Sequence, residues 1–215
     1  MKLQVAFDII DLQKSLEVAS QIEEYVDIFE IGTLLIYNHG IHALNEFHKT
    51  FPKKPIFVDS KIVDRGKDAA SLFAKTDTDW MTVMAGTSKE VIHSVTSTAH
   101  ASNKKVMLDL LDSSSVGQSA LEAKKLGVDA LLFHQPYDVA DSLIFLDQWD
   151  MVKGNSELPI FVSAKIGRDN IDDILQIKPD GIIIGRTVVH AKNPREEIEY
   201  FYKKIFPDKA LPKKE

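Results

Sequence analysis

Aspartate recurs in front of four short apolar runs: Asp27-Ile28-Phe29, Asp79-Trp80-Met81, Asp129-Ala130-Leu131 and Asp180-Gly181-Ile182, at steps of 52, 50 and 51 residues. Further runs lie between them, so the full set is Leu3–Asp8, Val26–Gly32, Pro55–Lys61, Asp79–Ala85, Lys105–Leu110, Asp129–His134, Leu158–Ala164 and Asp180–Gly185. The intervening runs echo one another as well: Pro55-Ile56-Phe57-Val58-Asp59-Ser60-Lys61 resembles Pro159-Ile160-Phe161-Val162-Ser163-Ala164-Lys165. A repeat of two strand–helix units, present four times, closes naturally into an eight-stranded ring. Amphipathic stretches separate the runs. One is Leu12–Tyr25; another, Pro194–Ile205, has Asn193 as its N-cap, proline in its first turn and acids at 196 and 197. Continuously apolar strands flanked by helices imply a parallel sheet covered on both faces. The expectation is an α/β chain folded as a single-domain (β/α)8 TIM barrel over residues 1–206, followed by a loose Lys- and Pro-rich tail, 207–215. A doubly wound open sheet is the alternative.

Composition narrows the function. With 215 residues the chain suits one sizeable core. Its net charge of −6 offers no bulk attraction for nucleic acid or an anionic membrane, so any phosphate must be held locally. The absence of cysteine removes disulfides, thiolate metal sites and cysteine nucleophiles, and suits a cytoplasmic protein. No apolar run reaches the length of a membrane span, and because Met1-Lys2-Leu3-Gln4 leads straight into a strand-like run, no signal peptide is expected.

In a barrel of this kind all C-terminal strand ends meet at one rim, where active sites lie. The first strand brings Asp8, the second Glu30, the third Asp59 and Lys61 with Asp64 beyond, the fifth Asp109, the sixth His134 and the eighth Gly185-Arg186. Asp59 and Lys61, two apart, share one strand face if the strand is regular. Each residue has a blander reading: Asp8 as the cap of the next helix, Asp59–Lys61 as an ion pair closing a strand, His134 as a satisfied rim histidine, Gly185-Arg186 as a turn. Together they resist that reading, because five carboxylates and one lysine on one rim repel unless neutralised. A divalent cation resolves the conflict, and oxygen ligands without cysteine point to Mg2+ or a similar hard ion. The Gly185-Arg186 pair lies where barrels bind phosphate through backbone amides.

At these residues the chain resembles the orotidine 5′-monophosphate decarboxylase suprafamily, whose Asp-x-Lys-x-x-Asp signature stands here as Asp59-Ser60-Lys61-Ile62-Val63-Asp64. Within it the chain is most similar to the 3-hexulose-6-phosphate synthases and their sister group, the 3-keto-L-gulonate-6-phosphate decarboxylases. The resemblance runs from Leu3 to about Phe206 and includes Val26–Thr33, Asp79–Val83, Ile184-Gly185-Arg186-Thr187 and Ala191-Lys192-Asn193-Pro194. It implies that Glu30 and Asp59 ligate Mg2+ and that Lys61 stabilises a developing oxyanion. Asp64 would cross into the partner subunit's site of a homodimer, Asp8 would hold Lys61 or substrate hydroxyls, and Asp109 and His134 would complete the catalytic set, with His134 moving protons. The substrate would be a phosphorylated sugar; for the synthase, an enediolate of ribulose 5-phosphate joins formaldehyde. Tyr137 stands where the decarboxylases carry an arginine, and Asp109 where they tend to have Glu, which favours the synthase; Gln135 favours the decarboxylase. Two features depart from both groups: Ala164-Lys165 replaces the usual glycines after the seventh strand, making Lys165 the expected phosphate contact with Gly185 and Arg186, and Arg65 follows Asp64. Outside the sister groups, a pentulose-phosphate epimerase and a non-catalytic barrel remain as alternatives; Asp59 and Lys61 on the third strand argue against the first, and the retained charged rim argues against the second.

Overall fold

The computed structural model describes residues 1–138 and 148–212. Its strands are β1 (Lys2–Phe7), β2 (Ile28–Ile31), β3 (Ile56–Ile62), β4 (Trp80–Met84), β5 (Lys105–Asp109), β6 (Ala130–His134), β7 (Ile160–Ser163) and β8 (Gly181–Ile184). They pair in parallel in sequence order, and β8 closes on β1 with Leu3 beside Ile182. That closure makes the chain a (β/α)8 barrel and excludes the open sheet. Each expected strand is present, with no end more than two residues from its expected place.

Helices α1 (Leu12–Ile22), α2 (Thr33–His39), α3 (Ile41–Thr50), α4 (Gly66–Ala74), α5 (Lys89–His100), α6 (Val116–Ala123), α7 (Trp149–Lys153), α8 (Ile171–Gln176), α9 (Arg186–Val189) and α10 (Pro194–Ile205) accompany the strands. The first helix is shorter than its pattern suggests, since Glu23–Tyr25 tightens into a 3-10 turn. The last matches its expected bounds, with the Asn193 side chain accepting from the Glu196 amide at 3.2 Å. Beyond Phe206 the described residues form no strand or helix, and residues 213–215 of the expected tail lie outside the described residues.

Two apolar layers hold the barrel. Ala6, Ile28, Phe57, Met107, Leu132, Phe161 and Ile183 fill its interior. Odd positions on β1, Leu3, Val5 and Phe7, face outward into a larger core beneath the helices, where Phe7, Phe29, Phe47 and Phe51 stack at 5.1–6.1 Å between ring centres. The strands are buried on both faces, as the unbroken apolar runs require. A Cβ at Gly181 would collide with the Phe161 ring, so glycine there makes room for one of the largest interior side chains.

The aspartate repeat has a single structural cause. Asp27, Asp79, Asp129 and Asp180 each accept the first free amide of the preceding strand through the side chain: Leu3 at 2.9 Å, Ile56 at 2.8 Å, Val106 at 2.8 Å and Ile160 at 2.9 Å. Each also donates its own amide to that same residue's carbonyl, at 2.7–2.9 Å. Four two-point clamps thus fix β1, β3, β5 and β7 to their neighbours at the N-terminal end of the barrel.

Candidate active site

The opposite rim gathers the charged side chains that the sequence singles out. β3 does not keep its regular pleat there: its register against β4 shifts between Val58 and Ile62, and Lys61 takes a left-handed backbone, φ 42°. The simple two-residue alternation expected for Asp59 and Lys61 is therefore broken by a bulge. Side chains replace the lost ladder: Ser60 Oγ donates to the Thr82 carbonyl at 2.8 Å and the Lys61 amide donates to Thr82 Oγ1 at 2.8 Å. The distortion curls the Lys61 side chain back over the barrel mouth. Its ammonium lies 3.1 and 2.9 Å from the two Asp59 oxygens and 3.3 Å from Asp109 Oδ2. The same Asp109 oxygen is 3.1 Å from His134 Nδ1, while its other oxygen accepts the Leu111 amide at 3.0 Å. Asp59, Lys61, Asp109 and His134, from three strands, form one continuous polar chain.

Electrostatics distinguish these groups. Burial would raise the Asp109 carboxyl, but His134, Lys61 and the Leu111 amide outweigh it and hold the group below the usual carboxylate range. Burial likewise opposes charge on Lys61, yet Asp59 and Asp109 prevail and lift its pKa above the ordinary lysine value. Lys61 is therefore a fixed cation and Asp109 a fixed anion. With Asp109 ionised, His134 Nδ1 must be the donor, leaving Nε2 as acceptor when the ring is neutral.

Glu30 behaves differently. It is buried beside Gln4, whose Nε2 donates to it at 2.6 Å, and burial with the nearby Asp59 charge pushes its carboxyl well above the usual range. Asp59 receives Thr33 Oγ1 at 2.7 Å and Thr82 Oγ1 at 3.1 Å besides Lys61. Asp8 is raised by burial; its carboxylate accepts the Leu34 amide at 3.1 Å, capping α2 rather than bonding Lys61. The helix after β1 takes its cap from Asp11 instead. A Cβ at Gly32 would collide with the Asp8 carboxylate, so glycine is what lets α2 approach it.

The pair Glu30 and Asp59 suits a hard cation in chemistry: two buried carboxylates, of which Glu30 is pushed up first by burial and then by the charge of Asp59. No group of three or more Asp, Glu or His among the described residues converges to enclose an ion. Mg2+ fits that restriction, since it commonly takes one or two carboxylates and fills its octahedron with water and substrate oxygens.

Asp64 does not join the cluster within one chain; it is exposed and accepts the Arg65 amide at 2.7 Å. Arg65 takes a left-handed backbone before α4 and pairs with Asp68 at 2.8 Å. Across the rim, Lys165 adopts a left-handed backbone, φ 46°, the conformation that glycine takes most readily. Its ammonium and the Arg186 guanidinium both lie 5.2 Å from the Tyr137 ring centre. Gly185 follows β8 and caps α9, and Thr187 ties that turn to the β7 loop through the Ile166 carbonyl, at 2.6 Å. Acids thus gather at the β1, β2, β3 and β5 ends and cations at the β7 and β8 ends.

Sequence reasoning missed Gln4, Thr33 and Thr82. Gln4 and Thr82 are polar interruptions of apolar runs in the inward register of Ala6 and Trp80, a signal that was readable. Thr33 follows Gly32 directly, and only the position of α2 against β3 reveals its role.

A family model described as Orotidine 5'-phosphate decarboxylase / HUMPS family matches residues 1–201. Curated relatives include a 3-hexulose-6-phosphate synthase of Bacillus subtilis, 27% identical over 91% of this chain and 94% of the relative. Another, a 3-hexulose-6-phosphate synthase of Staphylococcus aureus, is 30% identical over the same shares. A crystal structure of 3-hexulose-6-phosphate synthase superposes with a TM-score of 0.88 at 27% identity, covering 95% of this chain and 100% of that one.

Proposed function

On the premise that the chain belongs to the orotidine 5′-phosphate decarboxylase / HUMPS family and is a lyase, we propose that it is a Mg2+-dependent aldolase joining formaldehyde to ribulose 5-phosphate. The observation that carries the reading is the polar chain Asp59–Lys61–Asp109–His134, with contacts of 2.9, 3.3 and 3.1 Å. It offers what an enediolate reaction needs: a permanent cation beside an oxygen that gains negative charge, and a histidine held in one tautomer to carry a proton.

A basic group removes a proton from C1 of ribulose 5-phosphate, giving the enediolate. C1 then attacks the formaldehyde carbon, a carbon–carbon bond forms, and the former aldehyde oxygen takes up a proton to complete the hexulose phosphate. His134 Nε2 is the acceptor facing this exchange, and Asp109 holds its ring and balances the imidazolium. Lys61, kept charged by Asp59 and Asp109, stabilises the enediolate oxygens. Glu30 and Asp59 would hold Mg2+, which would supply Lewis-acid polarisation of the substrate's carbonyl and hydroxyl oxygens. At the far side of the mouth, Lys165 and Arg186, with the turn at Gly185, bind the phosphate. The charge division across the rim supports this orientation, because a sugar phosphate carries its dianion at one end and its reacting oxygens at the other.

The working unit is a homodimer in which Asp64 serves the neighbouring site. Exposed Ile10, Leu34, Tyr37 and Val63 lie on the β1, β2 and β3 side of the same rim, the side that carries Asp64, and support an interface there. The test is incubation with ribulose 5-phosphate, formaldehyde and Mg2+, with 3-keto-L-gulonate 6-phosphate run in parallel. Formation of a hexulose phosphate supports the proposal. Turnover of the keto acid alone would assign the decarboxylase instead, and turnover of neither would reject both.

A further inference from the structure

Three loops that follow consecutive strands meet at one aromatic ring. Tyr137 comes after β6, Lys165 after β7 and Arg186 opens α9 after β8; the ammonium and the guanidinium each sit 5.2 Å from the ring centre. Bringing two cations to one place is unfavourable unless something attracts both. The ring face does so, through its negative quadrupole. Tyr137 is itself exposed, at 56% of its surface, so its ring is not there to fill the core. The backbone is also biased toward this arrangement: Lys165 holds a left-handed conformation that is costly for any residue with a Cβ, and its side chain reaches the ring from it.

We propose that Tyr137 is a positioning residue of the phosphate-binding corner, holding Lys165 and Arg186 together so that one phosphate at the ring's edge meets both cations. This rests on the phosphosugar reading above and gives that site its specificity for a dianion. A guanidinium lying against a ring still presents its in-plane N–H fork, and an ammonium over a ring keeps donors directed away from it. The ring therefore reduces the rotamer freedom of two long side chains without using up the donors the phosphate needs. Tyr137 makes up for what the Lys165 position lacks: glycines there would admit the phosphate to backbone amides, whereas this chain relies on side-chain charge that must be steadied.

The test compares Tyr137→Leu, Tyr137→Phe and Arg186→Ala in the full-length enzyme, by steady-state kinetics with ribulose 5-phosphate and by competition with inorganic phosphate. Two exposed contacts of this kind correspond to roughly a fivefold to thirtyfold change in binding. Tyr137→Leu should raise KM and the inorganic phosphate inhibition constant together by about that factor, with kcat within about twofold and the melting temperature lowered by no more than a few degrees. Tyr137→Phe, which keeps the ring, should recover most of the loss. A Tyr137→Leu variant with unchanged or lowered KM, while Arg186→Ala raises it, would overturn the role of Tyr137 and leave the phosphate corner standing. A loss in Tyr137→Leu that Phe does not recover would also overturn it, by assigning the effect to the hydroxyl. If Arg186→Ala too leaves KM and phosphate inhibition unchanged, the phosphosugar reading of this corner fails, and the proposal with it.

Discussion

The two rims of this barrel are built on opposite principles. At the N-terminal rim four aspartates perform the same task at four equivalent places, each binding the amide and carbonyl of one residue on the preceding strand. At the C-terminal rim the fourfold pattern is abandoned. Lys61 and Lys165 stand at equivalent positions of the repeat, and both hold left-handed backbones, φ 42° and 46°. Their surroundings differ: Lys61 lies between two carboxylates, whereas Lys165 shares an aromatic ring with an arginine. One backbone device, duplicated, thus holds its lysine among carboxylates on one side and against an aromatic ring beside an arginine on the other; the proposed function makes the first the electrophilic centre and the second the anion-binding corner. Repetition marks the rim that holds the fold, and departure from it marks the rim proposed to work on a substrate.

The sharpest way to break this division is to remove the metal. EDTA should abolish turnover and Mg2+ restore it, while the melting behaviour shows the barrel still folded; undiminished activity in metal-free protein would separate Glu30 and Asp59 from the chemistry. Next in size is Lys61→Ala. Losing the one cation held between Asp59 and Asp109 should cost about 2.7–4 kcal/mol of transition-state stabilisation, by comparison with a removed oxyanion donor. A folded variant keeping more than about a tenth of wild-type turnover, an allowance of roughly 1.4 kcal/mol, would show that Lys61 is not catalytic. Subunit mixing sharpens the comparison further. Inactive Lys61→Ala and inactive Asp64→Ala, combined with proven exchange, should regain about a quarter of wild-type activity, since half the dimers are mixed and each has one intact site. No recovery would return Asp64 to its own chain. The smallest effect belongs to the other rim. Asp79→Ala removes the side-chain acceptor of the Ile56 amide, 2.8 Å away, and should lower stability by about 1–2 kcal/mol. That is a shift of a few degrees in melting temperature, with kcat within about twofold. A large loss of turnover in this variant would blur the division between the rims.

Much of this was legible in the sequence, for physical reasons that differ by region. The barrel was legible because parallel strands buried on both faces leave unbroken apolar runs, and because the clamp aspartates repeat at the same offset from each. The rim residues Glu30 and Asp109 were legible as charges inside apolar runs, where solvation cannot explain them. The bulge in β3 was not, because Ser60 and Thr82 are common strand residues and nothing local says that their hydroxyls replace a ladder bond. Nor was the cap between Asp8 and α2, which depends on two segments meeting across the rim. The convergence of Tyr137, Lys165 and Arg186 joins residues from three separate loops, so only the closed barrel brings it out.

The most direct test of the account is a crystal structure of the enzyme with ribulose 5-phosphate and Mg2+, since the central claim is that charge is divided across the C-terminal rim to orient one substrate. The phosphate should lie against Lys165 and Arg186 near Gly185, with the ion at Glu30 and Asp59 and the sugar's C1 and C2 beside Lys61 and His134. A sugar phosphate bound in the reverse direction, or density away from this rim altogether, would contradict it.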